Sequence, residues 1–392
     1  MEEFKNQNIY EMLLRENEKK QNQIKNNIYS NKFKFTKLDY SNNYYVMKKD
    51  KLIPLPPNEE IIKNASKYAK QNMLSCFIQN LFEKEEDEDI DEMKNKIFES
   101  LKPNIFDLSQ DFYGNYVIQG ILDKKDPAKT KIIFDELIKK DILSLCSKAY
   151  GCRVIQKLID SVDANKVKEI LGKIKNNLNE LFLNQNGNHV IQKIIEKINE
   201  DSLEDIYNAV LEKMDELIKN IYGSRIIQKL FDKLNSEEKK TKMIEKIHEM
   251  NLIELCKDQY SNYILQLILD NYKEKYIDKT LGKIKGNIKE FLSEEHAIHA
   301  SYIIEKIIIY GNENQKKEIC DEIIENDNKT KDFISNLMKD KNCNYIIQKI
   351  IDNCPEKEII KRIIGNIPKE KKDIKGNYTY IYNNLKEKGF VA

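Results

Sequence analysis

The chain has 392 residues, 40% hydrophobic and 33% charged, with 66 Lys and Arg against 65 Asp and Glu for a net charge of +1. That balance excludes a bulk polycation, so any nucleic-acid contact must come from a local face; only 7 Pro and 12 Gly exclude collagen-like and Pro-rich chains and favour long helices. Seven widely spaced cysteines with no C-x-x-C pair argue against a disulfide framework or zinc finger and fit a reducing compartment.

In chain order, residues 1–57 read as an N-terminal tail, partly disordered, rich in Asn, Lys and Tyr. Glu11 to Lys25 is compatible with a short polar helix or with disorder. Met1 is followed by Glu2-Glu3 rather than by a basic and then apolar run, so no secretory signal is expected. No apolar run is long enough to span a bilayer, and no membrane contact is expected. Pro54-Leu55-Pro56-Pro57 marks a boundary. Asn58-Glu59-Glu60 then reads as a helix start with acidic residues in its first turn.

From residue 58 onward the apolar spacing is helical, and one pentapeptide recurs eight times. The copies begin at Ser75, Asn115, Cys152, Asn188, Ser224, Asn262, Ser301 and Asn344, at steps of 40, 37, 36, 36, 38, 39 and 43 residues. Near-constant steps of this size are the mark of a repeat architecture. Such repeats make one elongated body with a continuous core rather than several globules. Apolar residues such as Ile170, Ile174, Leu178 and Leu181 precede the fourth pentad at helical spacing. Each unit therefore reads as a two- or three-helix module whose second main helix is opened by the pentad. Gly114, Gly151, Gly187 and Gly223 stand just before four pentads, where a side chain would crowd the neighbouring unit. The acidic run Glu83 to Glu92 reads as a solvated connector. Residues 366–392 carry no full pentad and read as a terminal cap.

The pentad's third and fourth residues are apolar in all eight copies and point into the core. The first and fifth lie one helical turn apart on a shared face, expected to be exposed. The fifth residues are Gln79, Gln119, Gln156, Gln192, Gln228, Gln266, Glu305 and Gln348. The second residues are Cys76, Tyr116, Arg153, His189, Arg225, Tyr263, Tyr302 and Tyr345, and seven of these eight carry planar groups. One such pentad alone would be a helix cap followed by a surface glutamine. Eight in register, with planar second residues, form a ladder suited to single-stranded nucleic acid, stacking contributing about 1–3 kcal/mol per base. Asn with Gln offers both donor and acceptor and suits uracil. Glu305 offers only acceptors and suits guanine, whose Watson–Crick edge has two adjacent donors. The single Glu accompanies Ser301, whereas every Asn-first copy ends in Gln. Lys157, Lys193, Lys229, Lys306 and Lys349 follow the fifth residue, as local positive charge near RNA or as solvated lysines.

With these pentads in view, residues 58–392 resemble the Pumilio (PUF) family of RNA-binding proteins. The resemblance implies an all-α fold, a right-handed α-solenoid (crescent) of eight three-helix repeats with terminal caps. It implies one base per repeat, with the first repeat at the RNA 3′ end. In the family code Asn with Gln reads U, Cys or Ser with Gln reads A, and Ser with Glu reads G. Carried over, Asn344 with Gln348 reads U, Ser301 with Glu305 G, Asn262 with Gln266 U, and Ser224 with Gln228 A. Asn188 with Gln192 then reads U, Cys152 with Gln156 A, Asn115 with Gln119 U, and Ser75 with Gln79 A. The implied site is 5′-UGUAUAUA-3′, which begins with the UGUA core the family favours. Cys76 departs from the family's usual Arg and Tyr302 from its usual Asn, while Ser261 and Ala300 replace the small residue before the pentad.

The resemblance further implies a cytoplasmic, monomeric regulator of mRNA translation and stability. It would bind 3′ untranslated regions and recruit deadenylase or translational repressor proteins, with Gly311 to Lys341 holding a connector used for partners. The alternatives are a nucleolar ribosome-assembly relative and a helical protein–protein scaffold. His296 and His299 are three apart, but no metal, cofactor or enzymatic activity is expected, since no nucleophile–base set or phosphate loop is recognisable.

Overall fold

The computed structural model describes residues 33–37, 44–48, 51–84, 88–293, 297–324, 330–354, 356–368 and 375–391. Glu11 to Lys25, compatible with a short helix or with disorder, lies outside the described residues, as does His296. Among the described residues no helix is long and apolar enough to cross a membrane. By its contacts the chain divides into two compact units, residues 1–177 with 185–198, and residues 178–184 with 199–392.

Among its described residues the first unit opens with a sheet, inside the segment read as an N-terminal tail. Three strands, β1 (Lys34–Lys37), β2 (Tyr44–Lys48) and β3 (Lys51–Pro54), form an antiparallel sheet in the order β1-β2-β3. Phe35 pairs with Val46, and Met47 with Leu52. Alternation along β2 buries Tyr44 and Val46 on one face and exposes Met47 on the other, the period of a half-buried strand. Phe35 and Tyr44 meet Phe77 of the first repeat at ring-centroid separations of 5.4 and 4.9 Å. The sheet thus covers an apolar end that a solenoid otherwise leaves open. Pro57 then precedes the helix Asn58–Lys63, with Glu59 and Glu60 in its first turn as expected.

The helical repeats follow. The third is representative: Pro127–Ile138, Ile142–Ser147 and Gly151–Ser161 form its three helices. Each start has a local cause. Asp126 accepts from the amides of Ala128 and Lys129, with Pro127 at the first helical position, where no amide is needed. Asp141 accepts from the Ser144 amide in the same way. The pentad helices of the first unit are Asn72–Glu83, Gly114–Asp123, Gly151–Ser161 and Gly187–Lys197, each packed on the next.

In the second unit the pentad helices are Gly223–Lys233, Ser261–Ile284, Ala297–Tyr310 and Asn344–Asn353, again packed in succession. Ser261–Ile284 is two helices joined at Tyr272, whose φ of −130° and ψ of 30° break the helical geometry. The Tyr272 hydroxyl bonds the Glu237 carboxylate at 3.0 Å, which holds this break. The helix Asn377–Glu387 closes the unit against the eighth pentad helix, with Asn384 bonded to Asp352 at 3.2 Å. It lies in the segment read as a terminal cap. The acidic run is partly helical, since Glu88–Leu101 forms a helix.

Candidate nucleic-acid interface

The pentad opens its helix, or stands one residue inside it, in six repeats. In the first the helix begins three residues earlier at Asn72, and in the seventh four residues earlier at Ala297. All sixteen third and fourth residues are at most 2% exposed, so their assignment to the core holds throughout.

The first residues differ from expectation. Helical spacing predicts an exposed face for them, yet all eight are at most 4% exposed. In repeats two, three, six and eight the turn that leads into the helix folds its backbone carbonyls over them, and in repeats one and seven the first turn of the helix itself does so. Asn115 Nδ2 donates to the carbonyls of Asp111 and Phe112 at 2.8 and 2.9 Å. Asn344 does the same to Asp340 and Lys341 at 2.9 and 3.0 Å, and Asn262 donates to Asp258 at 2.8 Å. Ser75 donates to the Asn72 carbonyl at 2.9 Å, Ser301 donates to that of Ala297, and the Cys152 thiol lies 3.5 Å from that of Ala149. Burial pushes the Cys152 thiol up to about 11, so it meets any partner as a neutral group.

The fifth residues remain half-buried, except Gln266 at 9% exposed. Wherever the first residue is Asn, the glutamine Nε2 donates to its Oδ1. The distances are 2.8 Å for Gln119–Asn115 and 2.9 Å for Gln192–Asn188, Gln266–Asn262 and Gln348–Asn344. Where the first residue is Ser75 or Cys152, the glutamine turns to that residue's backbone carbonyl, at 3.2 Å in both cases. The first residue therefore sets how the glutamine amide is aimed. In the Asn copies the glutamine keeps its Oε1 as an acceptor and a second Nε2 hydrogen as a donor.

The second residues vary more. Tyr263 and Tyr345 are 41% and 48% exposed, and Arg153, His189, Arg225 and Tyr302 are half-buried. Tyr116 is nearly buried, and its hydroxyl accepts from Arg153 at 3.3 Å, so two successive second residues touch. Cys76 is buried and small, the least suited of the eight to stack. Burial raises the Tyr302 hydroxyl above its ordinary value, with Tyr263, Glu305 and Tyr345 adding to the shift.

Two features of the site were missed. An Asp or Asn four residues before the pentad ties down the turn. Asp111 accepts from the amides of Tyr113 and Gly114 at 2.9 and 2.8 Å, and Asn220, Asp258 and Asp340 act alike. The recurrence of that residue ahead of the pentad was a readable signal. The glycines, moreover, avoid their own unit rather than the neighbour. A Cβ on Gly114, Gly151 or Gly223 would stand 2.8, 2.6 or 2.6 Å from the carbonyl oxygen of Leu108, Leu145 or Leu217, each six residues earlier. Ser261 meets the equivalent carbonyl, that of Leu255, with a hydrogen bond at 2.8 Å.

The lysines after the pentad join successive helices. Lys157 pairs with Asp123, Lys193 with Asp160 at 2.9 Å, and Lys306 with Asp270 at 2.5 Å. All seven cysteines are buried and stand outside any disulfide. Among the described residues no group of three or more His, Cys, Asp or Glu could hold a metal ion.

Two family models match the chain. The Pumilio-family RNA binding repeat matches residues 75–98, 104–138, 251–284, 298–324 and 334–367, and the NOP9-like PUF repeat domain matches 139–247. The chain belongs to the Pumilio (PUF) family of RNA-binding repeat proteins. Its helical repeats are those of the PUF solenoids among solved structures. The Puf3 RNA binding domain bound to the Cox17 RNA 3′ UTR recognition sequence site A is 26% identical, with a TM-score of 0.66 over 83% of this chain and 95% of that one. PUF-8 in complex with PBE-RNA is 24% identical, with a TM-score of 0.69 over 84% and 94%. The RNA-binding domain of yeast Puf5p bound to SMX2 RNA is 21% identical, with a TM-score of 0.60 over 82% and 95%. The last two speak to the fold alone. No curated protein matches the chain.

Proposed function

We propose that this chain binds single-stranded RNA at 5′-UGUAUAUA-3′-like elements, one base per repeat, with the eighth repeat at the 5′ end. The observation that carries the reading is the set of four Asn–Gln pairs with one shared geometry, interrupted in the seventh repeat by Ser301 with Glu305. Each Asn–Gln pair presents one donor and one acceptor, the complement of a uracil edge. Glu305 presents acceptors to guanine's two donors. Tyr116, Arg153, His189, Arg225, Tyr263, Tyr302 and Tyr345 stack between the bases, with Cys76 in that place in the first repeat. Ser75, Cys152 and Ser224, with Gln79, Gln156 and Gln228, take adenines.

In this reading the protein acts as a cytoplasmic monomer on mRNA 3′ untranslated regions. It lowers translation or message stability by recruiting a deadenylase or a translational repressor. The Puf3 domain, bound to a 3′ UTR sequence, lends support. The NOP9-like match over residues 139–247, which holds the pentads at Cys152, Asn188 and Ser224, favours a second reading as a nucleolar ribosome-assembly factor.

Binding titrations at fixed salt separate the two. UGUAUAUA should bind more tightly than UUUAUAUA, the mismatch costing roughly 1–3 kcal/mol. The double change Ser301→Asn with Glu305→Gln should reverse that preference. Equal affinity for both RNAs sinks the sequence-specific reading, and tighter binding to a folded ribosomal RNA fragment favours the second one.

A further inference from the structure

Three of the lysines that follow a pentad obey one rule. Asp123, Asp160 and Asp270, the partners of Lys157, Lys193 and Lys306, each stand eight residues after the first pentad residue of the preceding repeat. The eighth repeat departs from it. Eight residues on from Ser301 stands Ile309, which carries no charge. Lys349 lies instead 3.7 Å from Glu305 Oε1, the carboxylate at the fifth pentad position of repeat seven. The two side chains are 23% and 22% exposed, so the charges meet partly withdrawn from water.

We propose that Lys349, reaching from the eighth repeat, is a positioning residue that holds the Glu305 carboxylate in place for guanine, and that uncharged Ile309 leaves it to that role. This rests on Glu305 as the guanine-reading group. A carboxylate offers about four lone-pair sites, enough for the ammonium on one side and both guanine N–H donors on the other. When a base covers the site and excludes water, an unbalanced carboxylate is costly, and the nearby ammonium offsets that cost. Uracil in the same place gains little, because its edge carries one donor between two acceptors. The specificity of the seventh repeat is therefore shared with a residue of the eighth.

The test compares UGUAUAUA with UUUAUAUA by fluorescence anisotropy on the full chain and on Lys349→Met, Lys349→Arg and Ile309→Asp. Lys349→Met should lower the G-over-U affinity ratio by about fivefold, through weaker binding of the G-containing RNA. Lys349→Arg should keep most of the ratio. Ile309→Asp leaves both partners in place but restores the usual acid; it should draw the ammonium away and lower the ratio as well. Ile309 is half-buried rather than in the core, and an unchanged circular dichroism spectrum of Ile309→Asp checks that the fold is kept. Equal weakening of both RNAs by Lys349→Met would mark a phosphate contact and overturn the proposal, as would an unchanged ratio in both Lys349→Met and Ile309→Asp. A wild-type chain with no preference for G removes the functional reading itself, a separate outcome.

Discussion

Asn115 shows how much one side chain does in this fold. Its Nδ2 closes the turn onto two carbonyls while its Oδ1 fixes the amide of Gln119. The glycine just before the pentad is governed by its close approach to one residue, Leu108 at Gly114 and Leu145 at Gly151. That gives a paired prediction. Gly151→Ala would set a methyl 2.6 Å from the Leu145 carbonyl oxygen and should destabilise the chain by about 1–3 kcal/mol. Gly172→Ala, inside the helix Ala164–Ile174 with nothing within 4 Å of its Cβ, should stabilise by roughly 0.5–1 kcal/mol. Urea denaturation of both variants checks the opposite signs. The pentad register was legible because spacing is a property of the sequence. The burial of Asn115, Asn344 and their equivalents was not, since a helical wheel shows which residues share a face but not which turn covers them.

At the level of elements, the helix Glu237–Glu249 is joined to Ser261–Ile284 through a buried histidine. His248 is 4% exposed, with Nδ1 3.0 Å from the Ile244 carbonyl and Nε2 3.2 Å from Thr280 Oγ1. Burial holds its pKa below the ordinary 6.5, against the Ile244 carbonyl and Glu245, which favour the charge, and with Lys279 and Lys283, which oppose it. As pH falls, the unfolded chain takes up this proton before the folded one does. The stabilising contribution is complete above 6.5 and is lost on acidification toward the lower folded value. Urea denaturation at about pH 7 and about pH 5 should show a loss of stability that shrinks in His248→Gln. If the variant loses as much as wild type, His248 is not the group responsible. The sheet formed by β1, β2 and β3 was the element least legible beforehand. Tyr44-Tyr45-Val46-Met47 has the aromatic and β-branched content of a strand, but its burial depends on Phe77, more than thirty residues away.

For the molecule as a whole, membership of the Pumilio family was readable from eight pentads in order, because a repeated unit states its pattern many times. What composition left undecided was where charge would face a nucleic acid. Lys157, Lys193 and Lys306 are already engaged by aspartates, and the net charge is only +1. Binding should then depend on stacking and base edges more than on phosphates. For single strands the slope of log affinity against log salt is about −0.7 per phosphate neutralised, so a slope no steeper than about −2 is expected with UGUAUAUA. A slope near −5 or beyond, from titrations over a salt series, would show backbone charge to be dominant.

The burial of the first pentad residue bears on any attempt to recode this protein. Under the proposed reading, changing a letter from U to A means replacing an Asn such as Asn344 by Ser or Cys. That Asn also holds shut the mouth of its own helix through the carbonyls of Asp340 and Lys341. Vocabulary and foldedness are therefore written with the same atoms. A chain redesigned at several letters at once would accumulate loosened helix starts along its length. Its capacity for new targets is bounded by how many of them it can carry and still fold.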